Sequence, residues 1–274
     1  MSEAGDPVVT LGGRLRVCLR GAGPRLLLVH GLTASGAVWD RVSERLEGRF
    51  TLVIPDLLGR GTSDAAPRAR FRLAEEVGRL EDVARAHVPG PFVLVGHSQG
   101  AALALALAAR TTRCRGLCLV DPVTPWTKRP LVLELLRSGP VRASLAPLLS
   151  CVRWPLTRLV LRRRVFGDPD AVDEAVVRRY AAPYRDRDRA RTLLRVLADW
   201  RPGEISPHLA PRPTALVLTG ERDRRAPPHL VERLADRLEC PLRVVPGAGH
   251  ALPEEAPDAV ARAIEAVADG RWYA

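Results

Sequence analysis

Five consecutive residues, Gly96-His97-Ser98-Gln99-Gly100, form a G-x-S-x-G pentapeptide. The apolar run "PFVLV" precedes it and "AALALALAA" follows, so the serine sits where a buried strand turns into a helix. Such a turn lifts the central hydroxyl clear of the strand and sets it at a helix N-terminus, where free N–H groups favour negative charge. Small residues two positions away let strand and helix pass close together. A serine hydroxyl becomes a useful nucleophile only when a base takes its proton. His250, in "VVPGAGHALPEE", is the candidate base, and Asp223, in "LTGERDRRAP", is the carboxylate that would orient it. Asp121, which ends "RGLCLVDP", is the alternative acid. An oxyanion formed at the serine needs two backbone donors. The N–H of Gln99 is one candidate, and that of Leu32, in "LLLVHGLTAS", is the other. His30 is expected to brace that loop, Asp56 to bracket its own loop, and His97 to pack away from the nucleophile.

These residues need a scaffold that brings distant loops to one edge. Short apolar runs alternate with helical patterns along most of the chain. "PVVTLGG" and "RLRVCLRG" read as an antiparallel hairpin. "PRLLLVHG", "FTLVIPD", "PFVLVG", "RGLCLVDP", "PTALVLTG" and "PLRVVPG" read as strands. Between them lie helices in "SGAVWDRVSERLEG", capped by Ser35, "RFRLAEEVGRLEDVARAHV", "QGAALALALAARTT", "PPHLVERLADRLE" and "EEAPDAVARAIEAVADG". The alternation predicts an α/β fold with a mostly parallel sheet covered on both faces. Ser98, Asp223, His250 and Leu32 each follow a strand, so all four are expected at the sheet's C-terminal edge.

The alternation lapses between residues 122 and 210. "PLVLELLRS", "DPDAVDEAVVRRYAAPY", capped by Asp168, and "DRARTLLRVLADW" are expected helices. The predicted organisation is a core domain, 1–121 with 211–274, and a helical cap insertion, 122–210. "VRWPLTRLVLRRRVF" reads as a lid helix with one wet face, or as a basic face turned to a membrane. Trp39, Trp126, Leu133, Leu136, Trp154 and Phe166 are candidates for lining an acyl pocket, with core packing the alternative for each.

Composition narrows the partners. The 274 residues carry a net charge of +11, yet only Lys128 among the 42 basic residues is lysine. Aromatic residues are only 4%, too few to supply stacking platforms for single-stranded nucleic acid. Solvated arginine faces are therefore expected, and no nucleic-acid partner. The five cysteines match neither a zinc site nor a redox pair, which reads as reduced thiols in a cytoplasmic protein. The first residues are polar and acidic, unlike a signal peptide, and no apolar run reaches membrane-span length, so no stable membrane insertion is expected. A monomer or weak homodimer acting on a small-molecule acyl substrate is the expected state.

"LLLVHGLTAS", "DLLGRGTSD", "LVGHSQGA", "LTGERDRRAP" and "GAGHALPEEAPD" together resemble the α/β-hydrolase superfamily, in the branch with a helical cap after the sixth strand. The resemblance runs from residue 26 to residue 257 and implies an eight-stranded sheet, a serine–aspartate–histidine triad and no metal or organic cofactor. Ser98 argues against relatives with an aspartate nucleophile, such as haloalkane dehalogenases and epoxide hydrolases. Ala251, where C–C hydrolases place tryptophan, argues against those. Cleavage of a carboxylic ester, lactone or thioester is the expected activity. A lyase or cyclase using the same pocket, a C–C bond hydrolase, and a non-catalytic binding protein are the alternatives.

Overall fold

The computed structural model describes residues 2–182, 186–210, 212 and 214–271, without the side chains of 2–5 and 150–153. Eight strands form one sheet: β1 (Ser2–Thr10), β2 (Gly13–Arg20), β3 (Arg25–Val29), β4 (Thr51–Pro55), β5 (Phe92–His97), β6 (Cys114–Val120), β7 (Ala215–Gly220) and β8 (Leu242–Val245). Their order is β1-β2-β4-β3-β5-β6-β7-β8. β2 runs against both its neighbours, and every other pair is parallel.

The apolar runs of β3 to β7 are buried on both faces, with side chains alternating between two cores, whereas β8 at the sheet edge is only partly buried and exposes Val244. Leu27, Val29, Leu94 and Leu119 face α2 (Leu73–His87), α3 (Gln99–Ala108) and α7 (Pro228–Leu238). Leu26, Leu28, Val95 and Val120 face α1 (Asp40–Leu46) and α8 (Pro257–Ala268). A register slip of one residue would exchange the two cores, so each strand's pairing is firmly fixed.

Among the described residues between β6 and β7 there are helices and no strand. α4 (Gly139–Val160) is the longest, and α5 (Glu174–Ala181) and α6 (Arg187–Asp199) follow it. α4 was only partly foreseen, because Pro147 and Pro155 interrupt its sequence pattern. "PLVLELLRS" forms a 3-10 turn over Leu131–Arg137 rather than an α-helix. The helix expected to start at Asp168 is split. Asp168 caps a short 3-10 turn, Pro169–Ala171, and Asp173 caps α5 by accepting from Val176 N–H at 2.8 Å. The end of that pattern, at Pro183 and Tyr184, lies outside the described residues, as do position 211 and the Cys151 side chain. Ser35 precedes a 3-10 turn and makes no side-chain cap; Asp56 takes the Gly36 N–H instead, at 2.7 Å.

The helical segment is tied to loops at the strands' C-terminal ends. Thr192 accepts from Ala66 N–H, Asp199 from Phe71 N–H, and Arg189 donates to the Gly61 carbonyl. Val165 accepts the N–H of His250 at 2.6 Å.

Candidate active site

Ser98 is the residue between β5 and α3. Its backbone has φ 56° and ψ −119°, a strained left-handed conformation for a residue with a side chain. The strain is held from several sides. Ser98 N–H donates to Val120, and its carbonyl accepts from Ala101 and Val123. Gly96 and Gly100 make the turn possible: a Cβ on Gly96 would stand 2.4 Å from the Gly100 carbonyl oxygen, and one on Gly100 2.2 Å from that of Val29.

The hydroxyl points at His250, with Ser98 Oγ 2.9 Å from His250 Nε2. On the far side of the ring, His250 Nδ1 lies 2.7 Å from Asp223 Oδ2. The other oxygen of Asp223 accepts from the N–H groups of Arg225 and Ala226, at 2.7 and 2.8 Å. This network assigns the Nδ1–H tautomer to His250 and leaves Nε2 free to accept the serine proton. All three side chains are buried. The loops after β5, β7 and β8 thus bring together residues 98, 223 and 250 in one chain of hydrogen bonds.

Asp121 does not contact the imidazole as Asp223 does. Its carboxyl accepts from Gly220 N–H at 2.9 Å and Leu252 N–H at 3.2 Å, tying down the loops that carry both Asp223 and His250. Burial pushes its carboxyl well above the usual range, with the Asp223 charge adding to the effect. Asp121, Asp223 and His250 form a cluster of metal-ligand types. Two ligands of one zinc ion, each about 2 Å from it, would stand roughly 3 Å or more apart. The 2.7 Å His250–Asp223 spacing is that of a hydrogen bond and does not fit an ion between them.

His97 turns away from the Ser98 hydroxyl yet does more than pack. Its Nε2–H donates to the His250 carbonyl at 2.7 Å, and its ring meets Trp39 edge-on. Burial, then the neighbouring His250, pushes it down to about 3. His30 accepts from Leu57 N–H at 2.9 Å, and burial lowers it to about 4. Asp56 brackets its loop through the N–H and hydroxyl of Thr62.

Leu32 lies in the loop after β3 and Gln99 opens α3; no acceptor for either N–H appears among the described residues. Arg60 links the two positions and was not foreseen. Its guanidinium donates to the Leu32 carbonyl at 3.3 Å and the Gln99 side-chain oxygen at 3.2 Å. It also donates to Leu58 O and to Glu76, which Arg79 shares. Phe71 lies under both guanidinium groups. Arg60, Glu76 and Arg79 are all buried, two cations to one carboxylate. Glu255 was also missed. It gathers the N–H groups of Gly167, Gly249 and Ala251 around the His250 loop.

A family model described as "Alpha/beta hydrolase family" matches residues 26–263. The chain belongs to the alpha/beta hydrolase family. This alpha/beta hydrolase is 30% identical over 252 residues to a pimeloyl-[acyl-carrier protein] methyl ester esterase of Chromobacterium violaceum, covering 88% of this chain and 85% of the relative. It is 29% identical over 245 residues to a magnesium-chelatase 30 kDa subunit of Rhodobacter capsulatus, with coverage of 86% and 84%. An alpha/beta hydrolase fold protein from Burkholderia ambifaria superposes with a TM-score of 0.85 at 26% identity, covering 96% of this chain and 97% of that one.

The candidates for lining an acyl pocket scatter. Trp39 is fully buried in the core beside α1. Trp126 packs against the opposite core, with the Arg233 guanidinium 4.0 Å from its ring centre. Leu133 and Leu136 belong to a cluster among the inter-strand helices, with Ala146 and Leu194. Trp154 and Phe166 fall in a cluster that includes Ala251, the neighbour of His250. A cavity of about 260 Å³ lies behind the His250 loop, lined by Phe166, Arg179, Ala248 and Glu254 among others. Phe166 is the one candidate of the six in its wall.

Proposed function

We propose that this alpha/beta hydrolase is a serine hydrolase that cleaves a carboxylic ester, lactone or thioester through an acyl-serine intermediate. The observation that carries the reading is the hydrogen-bonded chain from Ser98 Oγ through His250 to Asp223. His250 Nε2 takes the hydroxyl proton as Ser98 Oγ attacks the substrate carbonyl. The electron pair moves onto the carbonyl oxygen, and the N–H groups of Leu32 and Gln99 hold that oxyanion. The tetrahedral intermediate collapses, and His250 passes its proton to the departing alcohol or thiol. Water then enters, loses a proton to His250 and displaces the acyl group by the same route. Asp223 keeps the Nδ1–H tautomer and stabilises the imidazolium in both halves.

Esters are favoured because a relative matched over 85% of its length is named for methyl ester cleavage. The residues 122–210 act as a cap in this reading, since they meet the His250 loop through Val165 and Gly167. The test is hydrolysis of a panel of acyl methyl esters, aryl esters, lactones and thioesters by the protein and by Ser98→Ala. The wild type is expected to turn over at least one class. Ser98→Ala is expected to lose that turnover while its melting temperature stays within a few degrees. A Ser98→Ala protein that keeps full turnover would remove the proposal.

A further inference from the structure

Among the described residues, six of the nine exposed large apolar side chains lie between residues 131 and 159: Leu131, Val132, Leu135, Leu148, Leu156 and Leu159. The last three fall along one side of α4, with spacings of eight and three residues. Their exposures, 55%, 44% and 50%, are those of side chains standing out from the surface. Arginines flank the strip. Arg158, Arg163 and Arg164 are exposed and form no ion pair among the described residues, whereas Arg162 pairs with Asp170. The 122–210 segment holds 17 basic and 9 acidic residues, a surplus of 8 positive charges.

We propose that the outer face of α4 and the arginine turn after it form an adsorption surface for an anionic lipid bilayer. A helix with aliphatic side chains on its outer face and arginines beside them suits the plane of a bilayer interface. The leucines enter the acyl region as separate protrusions, which a fluid layer receives without matching pockets. The unpaired guanidinium groups meet lipid phosphates. A second copy of the chain is disfavoured as occupant, because two such faces would oppose their positive charges. No helix of the described residues is long and apolar enough to cross a membrane, so adsorption is peripheral. The surface also lies close in sequence to Val165, whose carbonyl holds the His250 N–H.

The experiment is co-sedimentation of the full chain with vesicles of phosphatidylcholine containing 30% phosphatidylglycerol, against vesicles of phosphatidylcholine alone. Binding is expected to the anionic vesicles only, and it should weaken with added salt. Arg158→Gln/Arg163→Gln/Arg164→Gln should weaken it by about fivefold for each charge removed. Leu156→Glu/Leu159→Glu should weaken it at least as far. A control with the same loss of charge elsewhere, Arg115→Gln/Arg237→Gln/Arg262→Gln, should retain most of the binding. No binding by the wild type, or equal loss in control and α4 variants, would overturn the proposal. A leucine-dependent dimer in sedimentation velocity, without vesicle binding, would assign the face to a second copy instead.

Discussion

Arg60 donates a hydrogen bond to the side-chain oxygen of Gln99, 39 residues further along the chain, at 3.2 Å. The same guanidinium reaches the Leu32 carbonyl, so one buried cation touches both residues whose backbone N–H groups are the proposed oxyanion donors. A planar fork with several donors can hold these groups and Glu76 together, whereas a lysine ammonium cannot. Arg60→Lys is therefore expected to lower kcat by roughly ten- to a hundredfold, since small displacements of donors are costly. KM should change little, and steady-state kinetics on any accepted ester separates the two. A kcat within twofold of wild type would show that Arg60 serves packing alone.

Asp223 and Asp121 differ in what they hold. Asp223→Asn leaves His250 Nδ1 facing an amide and disturbs its tautomer, so kcat should fall by roughly 10³ to 10⁴. Asp121→Asn keeps an acceptor for the Gly220 N–H and should retain most turnover, with its main effect on melting temperature. Comparable losses of kcat in the two variants would contradict this division of labour.

Gly100 leaves no space for a methyl group beside the Val29 carbonyl. Gly100→Ala is expected to destabilise the fold by about 2 kcal/mol or more, since backbone must move to admit the added atom. Denaturant unfolding measures it, and a change within about 0.5 kcal/mol would argue against so close an approach of α3 and β3.

The buried histidines His97 and His30 should make stability fall on mild acidification, against an opposite contribution from Asp121, Glu254 and Glu255, whose carboxyls burial raises. Burial lowers His97 and His30 from the ordinary 6.5 to about 3 and about 4 in the fold. The unfolded chain therefore gains protons first as the pH drops below 6.5, and the native state loses stability until its own histidines titrate. The loss from His97 alone is on the order of 3 kcal/mol by pH 4. Thermal unfolding between pH 8 and pH 4 checks this. His97→Asn should show a shallower decline than the wild type, and an unchanged slope would contradict the assignment.

Much of the fold was legible because the strands are apolar on both faces. "LLLV", "FVLV" and "ALVLTG" need cover on two sides, which implies helices on both faces of a sheet. The serine, acid and histidine were legible because each follows such a run in a loop rich in glycine or charge. The helical segment was harder. Pro147 and Pro155 interrupt the sequence pattern of α4, and Asp173 begins a second capped helix where one was expected. The supporting shell was not legible. Arg60, Glu76 and Arg79 look like ordinary surface charges in an arginine-rich chain, and only the fold reveals them as a buried cluster. Glu255 is one acidic residue among several in its stretch until three backbone N–H groups converge on it.

Labelling with a fluorophosphonate, followed by intact-mass measurement and peptide mapping, asks directly whether Ser98 is the nucleophile that His250 activates. One adduct per chain is expected, on Ser98, and its formation should slow by orders of magnitude in His250→Ala. An adduct on another serine, or labelling of Ser98 at the same rate without His250, would contradict that role.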